Sequence, residues 1–253
     1  MSKIKAVFFD QDGVIIDTER DGHRVSFNMT FKEFGFTDEW SVEYYHELLQ
    51  VAGGKERMKH HSRTKGFSKP VSEDELDALV KDMHKRKTAL FVELIETGKL
   101  PLRPGVHRMM KEAMEAGLKL AVCTTSNEKA AKAVTEKVLS DIKFDTVLAG
   151  DVVSKKKPDP EIYNLALSKL GLQPDEVVVF EDSRNGVLAA KAAGLNVVVT
   201  TNGYTEREDV NDGDIIVTCL GDPDGEKGEM RKGDVPGFDG VLHLNHIMAY
   251  FSK

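Results

Sequence analysis

Only two cysteines, Cys123 and Cys219, occur among 253 residues. They cannot build the disulfide framework of a small secreted domain and suit a reducing compartment. No stretch reaches the roughly 18 consecutive apolar residues that a membrane-spanning helix needs. Basic charge is not in excess either: the net charge is −7, which with no basic tail argues against nucleic acid or an anionic membrane surface as the main partner. No internal repeat or low-complexity tract is present. The first apolar run begins at Ile4, which is expected to leave no room for a signal or transit peptide. The expected location is the cytoplasm, or a plastid if a transit peptide has been removed. A small molecule is the expected partner, and the chain is expected to act as a monomer.

With 40% hydrophobic residues, the chain can bury a core large enough for one big domain or a domain plus a smaller one. The run Ile4 to Phe9 stops abruptly at Asp10 and Asp12, with Gly13 following. Val and Phe in a short unbroken run fit a parallel strand covered on both faces. Ligands of open α/β sheets collect beyond the carboxyl ends of such strands. Two neighbouring carboxylates repel unless a cation or proton lies between them, and Mg²⁺ takes a few carboxylate oxygens together with phosphate and water. Asp10 is then placed to attack phosphorus and Asp12 to handle protons. Taken alone, Asp-x-Asp-Gly also fits a plain polar turn. An EF-hand loop is excluded, because Val14 stands where an oxygen ligand is needed and Ile15 where glycine is needed.

Residues 18–97 are rich in helical periodicity and predict an inserted helical domain. Phe27, Phe31 and Phe34 share one helical face, with Gly35 as a stop. Leu76, Val80, Met83, Leu90, Phe91 and Leu94 form the stripe of a long amphipathic helix. Lys87 projects near the middle of that stripe with His84 on its flank, so it either snorkels to water or meets an anionic group. From Leu102 onward, helix and strand alternate, with apolar runs at 118–123, 146–149, 177–180, 196–200 and 215–218. That alternation means βαβ units and a parallel sheet. Residues 219–235 read as a surface loop before a last amphipathic helix.

Three further strand ends carry polar groups. Thr124, Thr125, Ser126 and Asn127 follow the second run, where hydroxyls and the N–H groups of a helix start can hold phosphate oxygens; Thr125 with Glu128 also fits a helix cap. Lys157-Pro158 precedes a helix, and Glu181-Asp182-Ser183 ends the 177–180 run. Asp10 to Val14, Thr124, Lys157-Pro158 and Glu181 to Ser183 resemble the four ordered motifs of the haloacid dehalogenase superfamily. Segments 17–19, 53–57, 84–88, 102–105 and 124–130 are similar to the CbbY-like proteins of its β-phosphoglucomutase-like branch, whose best-known activity is dephosphorylation of xylulose 1,5-bisphosphate.

The resemblance implies an α/β fold: a doubly wound parallel sheet (1–17 and 98–253) with an inserted small helical cap (18–97). It implies a Mg²⁺-dependent phosphatase acting on a small sugar phosphate. Asp10 would be nucleophile and metal ligand, and Asp12 the acid/base with its carbonyl on the metal. Asp182 and Glu181 would complete the metal site, while Thr124 and Lys157 hold phosphoryl oxygens. Substrate would be bound by Glu19, Gly53, Gly54, Lys55, Arg57, His84 and Lys87 of the cap, and by Thr125, Ser126 and Asn127 of the core. Between 53 and 69, six basic residues stand against the single acid Glu56, a composition suited either to a second phosphate or to a solvated helix face for Lys59, Arg63, Lys65 and Lys69. A Walker A loop is excluded, because Glu56 follows Lys55 where Ser or Thr is required. A sugar phosphomutase and a receiver-like phospho-switch remain as alternative readings of the same motifs.

Overall fold

The structure, a computed structural model, describes residues 3–51, 53–97, 100–126, 128–150 and 152–252. The chain divides into two compact units, Met1–Asp17 with Pro101–Lys253, and Thr18–Leu100. The second junction thus falls at Pro101 rather than at residue 98. Asn127 lies outside the described residues. Among those that are described, no helix is long and apolar enough to cross a membrane.

The Thr18–Leu100 unit is helical: α1 (Arg24–Glu33), α2 (Val42–Leu48), α3 (Gly54–Thr64) and α4 (Glu73–Glu96). Ser72 and Glu75 cap the start of α4 reciprocally, satisfying N–H groups that the first turn cannot. Its apolar stripe is buried as its spacing predicts, except that Ile95 rather than Leu94 completes the buried row, and Lys87 is buried within it. Gly35 (φ 78°) follows α1 in the left-handed region that glycine adopts freely. Phe27 and Phe31 pack on Trp40, with ring centroids 4.7 and 4.9 Å away.

The other unit holds a seven-stranded sheet in the order β3-β2-β1-β4-β5-β6-β7. The strands are β1 (Ala6–Phe9), β2 (Lys119–Cys123), β3 (Thr146–Leu148), β4 (Val177–Glu181), β5 (Asn196–Thr200), β6 (Ile215–Val217) and β7 (Met230–Lys232). The first six are parallel, and β7 runs antiparallel at the edge beside β6. The helices are α5 (Val106–Glu115), α6 (Glu128–Ala133), α7 (Glu161–Leu170), α8 (Arg184–Ala192) and α9 (Leu244–Tyr250). The surface loop expected over 219–235 is corrected: it contains β7, and Cys219 and Leu220 are buried. Arg108 of α5 accounts for this order by donating to the carbonyls of Leu220, Gly221 and Leu242 at 2.7–3.2 Å. Charge and glycine in that stretch masked a segment whose backbone groups are bonded to Arg108 and to neighbouring backbone, as in Gly228 N–H to the Gly240 carbonyl and Leu242 N–H to the Leu220 carbonyl.

Register brings the site together. Phe9 pairs with Val122 on one side and Phe180 on the other, so the next residues, Asp10, Cys123 and Glu181, stand abreast at the carboxyl edge. Asp10 N–H donates to the Phe180 carbonyl at 3.0 Å, and the Phe9 and Phe180 rings stack 4.7 Å apart beneath.

Candidate active site

Lys157 is the hub. Its ammonium donates to Asp10 Oδ1 (2.6 Å), Glu181 Oε1 (2.6 Å) and the Cys123 carbonyl (3.0 Å). An ammonium has three protons, and all three are committed to the protein. Grip of a phosphoryl oxygen by Lys157 therefore requires one of these bonds to be exchanged. The two acids hold the lysine firmly charged despite its burial. Tyr163, fully buried on α7, donates its hydroxyl to the same Glu181 Oε1, and the lysine lies 5.1 Å from the centre of its ring. Tyr163 is not among the residues that the sequence singles out, and only the packing of α7 reveals its polar end.

Asp10, Glu181 and Asp182 are buried and offer oxygens all within 4.8 Å of one another. With all three ionised, three carboxylates against the Lys157 ammonium would leave two negative charges in a largely buried space. Burial pushes the Asp10 carboxyl up to about 7, the Lys157 ammonium opposes that rise, and Glu181 and Asp12 add to it. Asp182 is likewise driven well up, first by burial and then by Asp10 and Glu181. An all-oxygen set with unbalanced negative charge is the donor chemistry of a hard divalent cation, and the residues fit Mg²⁺. Two glycines make room for the acids. A Cβ on Gly13 would stand 2.0 Å from Asp182 Oδ2, and one on Gly186 1.9 Å from Glu181 Oε2.

The Asp12 side chain is not part of this cluster. Ser126 Oγ donates to its Oδ2, and Thr124 Oγ1 stands 3.5 Å away while accepting from Ser126 N–H at 3.1 Å. Ser126 and Thr124 thus hold Asp12. Thr125 offers its carbonyl to Lys156 at 3.4 Å. Among the described residues no hydrogen bond joins Thr125 to Glu128, so the helix cap expected of that pair is not seen there. The thiol of Cys123, pushed by burial up to about 12, stays protonated and inert.

Two residues to which the sequence assigns no role support the edge, Arg103 having entered only as part of segment 102–105. Arg103 donates to the carbonyls of Gly13, Thr200, Thr201 and Thr218, tying the turn after β1 to the ends of β5 and β6. Asn202 donates to Asp182 Oδ2 at 2.8 Å. Both occur in turn-like surroundings, Arg-Pro-Gly and Asn-Gly, which read as punctuation.

In the helical unit, Tyr45 OH donates to Glu19 Oε2 (2.7 Å) and accepts from Arg57 Nη1 (3.2 Å), while Arg57 Nε donates to the Val51 carbonyl (2.9 Å). Lys87 does not snorkel. Its ammonium bonds His23 Nδ1 at 2.7 Å and lies 4.8 and 5.2 Å from the Phe27 and Phe91 ring centres. Burial lowers its pKa to about 8. His23 is held neutral, by burial first and the Lys87 charge second, so its Nδ1 can accept. Gly54 lets the His84 ring approach, since a Cβ there would stand 2.9 Å from it. Gly53 has φ 93° just before α3, and Lys55 is exposed in its first turn. Lys59 pairs with Asp77 and Arg63 with Glu73, while Lys65 and Lys69 lie over the Tyr44 and Phe36 rings. Those four serve the unit's own surface.

A strand-end carboxylate, a lysine bridging two acids and an acidic cluster are the features of this edge. Residues 4–194 match the haloacid dehalogenase-like hydrolases, and the chain belongs to that family. Within it, the chain is similar to the CBBY-like protein of Arabidopsis thaliana, 48% identical over 226 residues that span 88% of this chain and 71% of that one. It is 32% identical to the phosphorylated carbohydrates phosphatase of Thermotoga maritima, covering 85% and 90% of the two chains. Among solved structures, a variant of CbbY from Rhodobacter sphaeroides in complex with xylulose-(1,5)bisphosphate is 35% identical, with 94% of this chain and 99% of that one covered and a TM-score of 0.66.

Proposed function

We propose that this protein is a Mg²⁺-dependent phosphatase that hydrolyses a small sugar bisphosphate, of the xylulose 1,5-bisphosphate kind, through an aspartyl-phosphate intermediate. The observation that carries this reading is the buried Asp10, Lys157, Glu181 and Asp182 cluster at the sheet edge. The sugar phosphates named for its relatives support the substrate class. Asp10 attacks phosphorus as the sugar oxygen leaves, and Asp12, held by Ser126 and Thr124, gives that oxygen its proton. Water then attacks the aspartyl phosphate while Asp12 takes a proton back, releasing inorganic phosphate and restoring Asp10. Asp10 and Asp182, with Glu181 and the Asp12 carbonyl, would hold Mg²⁺, which when bound neutralises charge on the transferring phosphoryl group. The test is a panel of sugar mono- and bisphosphates. Mg²⁺-dependent, stoichiometric release of inorganic phosphate, fastest from a ketopentose bisphosphate, is expected. Retention of a labelled phosphate in a sugar bisphosphate would instead establish a mutase.

The helical unit recognises the part of the substrate away from the reacting phosphate. Lys87 is a buried cation there, and the charges of Glu19 and Arg57, which are linked through Tyr45, act on it. Lys87→Met keeps the apolar stem and removes the charge. It should raise KM for a bisphosphate by the equivalent of about 1.5–3 kcal/mol, the worth of a charged hydrogen bond, while slow hydrolysis of a small aryl phosphate changes little. Because the ammonium loses its proton above about 8, the wild-type KM should climb from pH 7 to 9, and that climb should vanish in the variant. Equal damage to both substrates would reduce Lys87 to a packing residue.

A further inference from the structure

Asn202 is built into its place more rigidly than a turn residue requires. It stands just beyond β5, and its Oδ1 accepts from the backbone N–H groups of Tyr204 (2.9 Å) and Thr205 (3.1 Å). Its own N–H donates to Thr205 Oγ1 at 3.1 Å, and its carbonyl accepts from Thr205 and Glu206 N–H. With both oxygens engaged by donors, the amide can turn only one way, and Nδ2 must face Asp182. It donates there to Oδ2 at 2.8 Å. The same Oδ2 is wedged against Gly13, where a Cβ would stand 2.0 Å from it and 2.9 Å from Asn202 Nδ2. Oδ2 thereby has a donor on one side and the Gly13 backbone close on another, while Oδ1 accepts no hydrogen bond from the described residues.

We propose that Asn202 is a positioning residue for the metal centre: it fixes which oxygen of Asp182 faces the cation and keeps that carboxylate from rotating into the other acids. The inference rests on the metal site of the phosphatase reading. It differs from it in assigning the orientation of one ligand to a residue that touches neither metal nor substrate. Outer partners of this kind set ligand geometry and commonly govern metal affinity.

The experiment is calorimetric titration of the whole protein with Mg²⁺ alone, for wild type, Asn202→Asp, Asn202→Ala and Thr205→Val. Asn202→Asp keeps an oxygen for the two loop N–H groups and replaces the donor facing Asp182 with an acceptor. Its Mg²⁺ dissociation constant should rise about 10- to 100-fold, even though its added negative charge alone would tighten binding. Asn202→Ala should weaken binding in the same direction, and Thr205→Val, which removes the hydroxyl accepting from Asn202 N–H but keeps both backbone donors to Asn202 Oδ1, should weaken it clearly less. Melting without Mg²⁺ reports whether each variant is folded. Unchanged or tighter Mg²⁺ binding in either folded Asn202 variant overturns the proposal, as does an equal loss in Thr205→Val or a wild type that gives no Mg²⁺ heat. A wild type that binds Mg²⁺ yet releases no phosphate from any sugar phosphate overturns the phosphatase reading and leaves this one standing.

Discussion

Asp10→Asn should abolish turnover, by on the order of 10³-fold or more, because an amide is a poor nucleophile and one negative charge is removed from the acidic cluster. The fold should survive. An amide oxygen still accepts from Lys157, which now donates to Asp10 Oδ1 at 2.6 Å. The wild-type carboxyl, raised by burial from 3.8 to about 7, binds its proton more tightly folded than unfolded. Its contribution to stability is therefore fully present below about 4 and is lost as pH rises towards 7. A neutral amide has no such loss. Without Mg²⁺ at pH 8, the variant should melt no lower than wild type while being inactive, the pattern of a site that trades stability for chemistry. Near wild-type phosphate release at saturating Mg²⁺ would remove Asp10 from the mechanism.

The sheet was legible because its signal is redundant. Short apolar runs alternating with helical segments fit the strands of a parallel sheet, and several such runs in succession support one another's assignment. The seventh strand was not, since Met230–Lys232 is short, charged and paired only at the edge, with no periodicity to read. In the site, Asp10, Asp12, Thr124, Lys157, Glu181 and Asp182 stood out because polar residues at the ends of apolar strands need a reason. Register brings Asp10, Glu181 and Lys157 into direct contact, and Thr124 stands beside Asp12. Tyr163, Arg103 and Asn202 were hidden because each acts through a partner distant in sequence: 18 residues separate Tyr163 from Glu181, and 20 separate Asn202 from Asp182. The stripe of α4 pointed to Lys87, but its partner His23 lies 64 residues away in another helical segment. Local spacing carries the positions of charges; it does not carry which of them share a proton.

Lys157→Met tests whether the cluster is held together by its single cation. The methionine keeps the buried stem and withdraws all three donated bonds, leaving Asp10 and Glu181, both buried, beside Asp182 without the ammonium that bridged them. Removing one side of a buried ion pair typically costs about 3–5 kcal/mol, because the charges that remain are neither solvated nor paired. That loss should appear in urea unfolding at pH 8 without metal. It should shrink as the pH is lowered. Asp10 and Asp182 already have raised pKa values with the lysine present, and removing it raises Asp10 further. Acids whose folded pKa exceeds the unfolded one lose stability as pH climbs between the two values, so the penalty should fall as Asp10 takes up its proton below about 7. Mg²⁺ should restore part of the stability at pH 8, since a divalent cation supplies the missing charge. Turnover should stay low even then, because the cation does not replace the ammonium that orients Asp10. A loss of stability independent of pH and of Mg²⁺ would mean that Lys157 contributes through packing alone, and the electrostatic account of the site would fall with it.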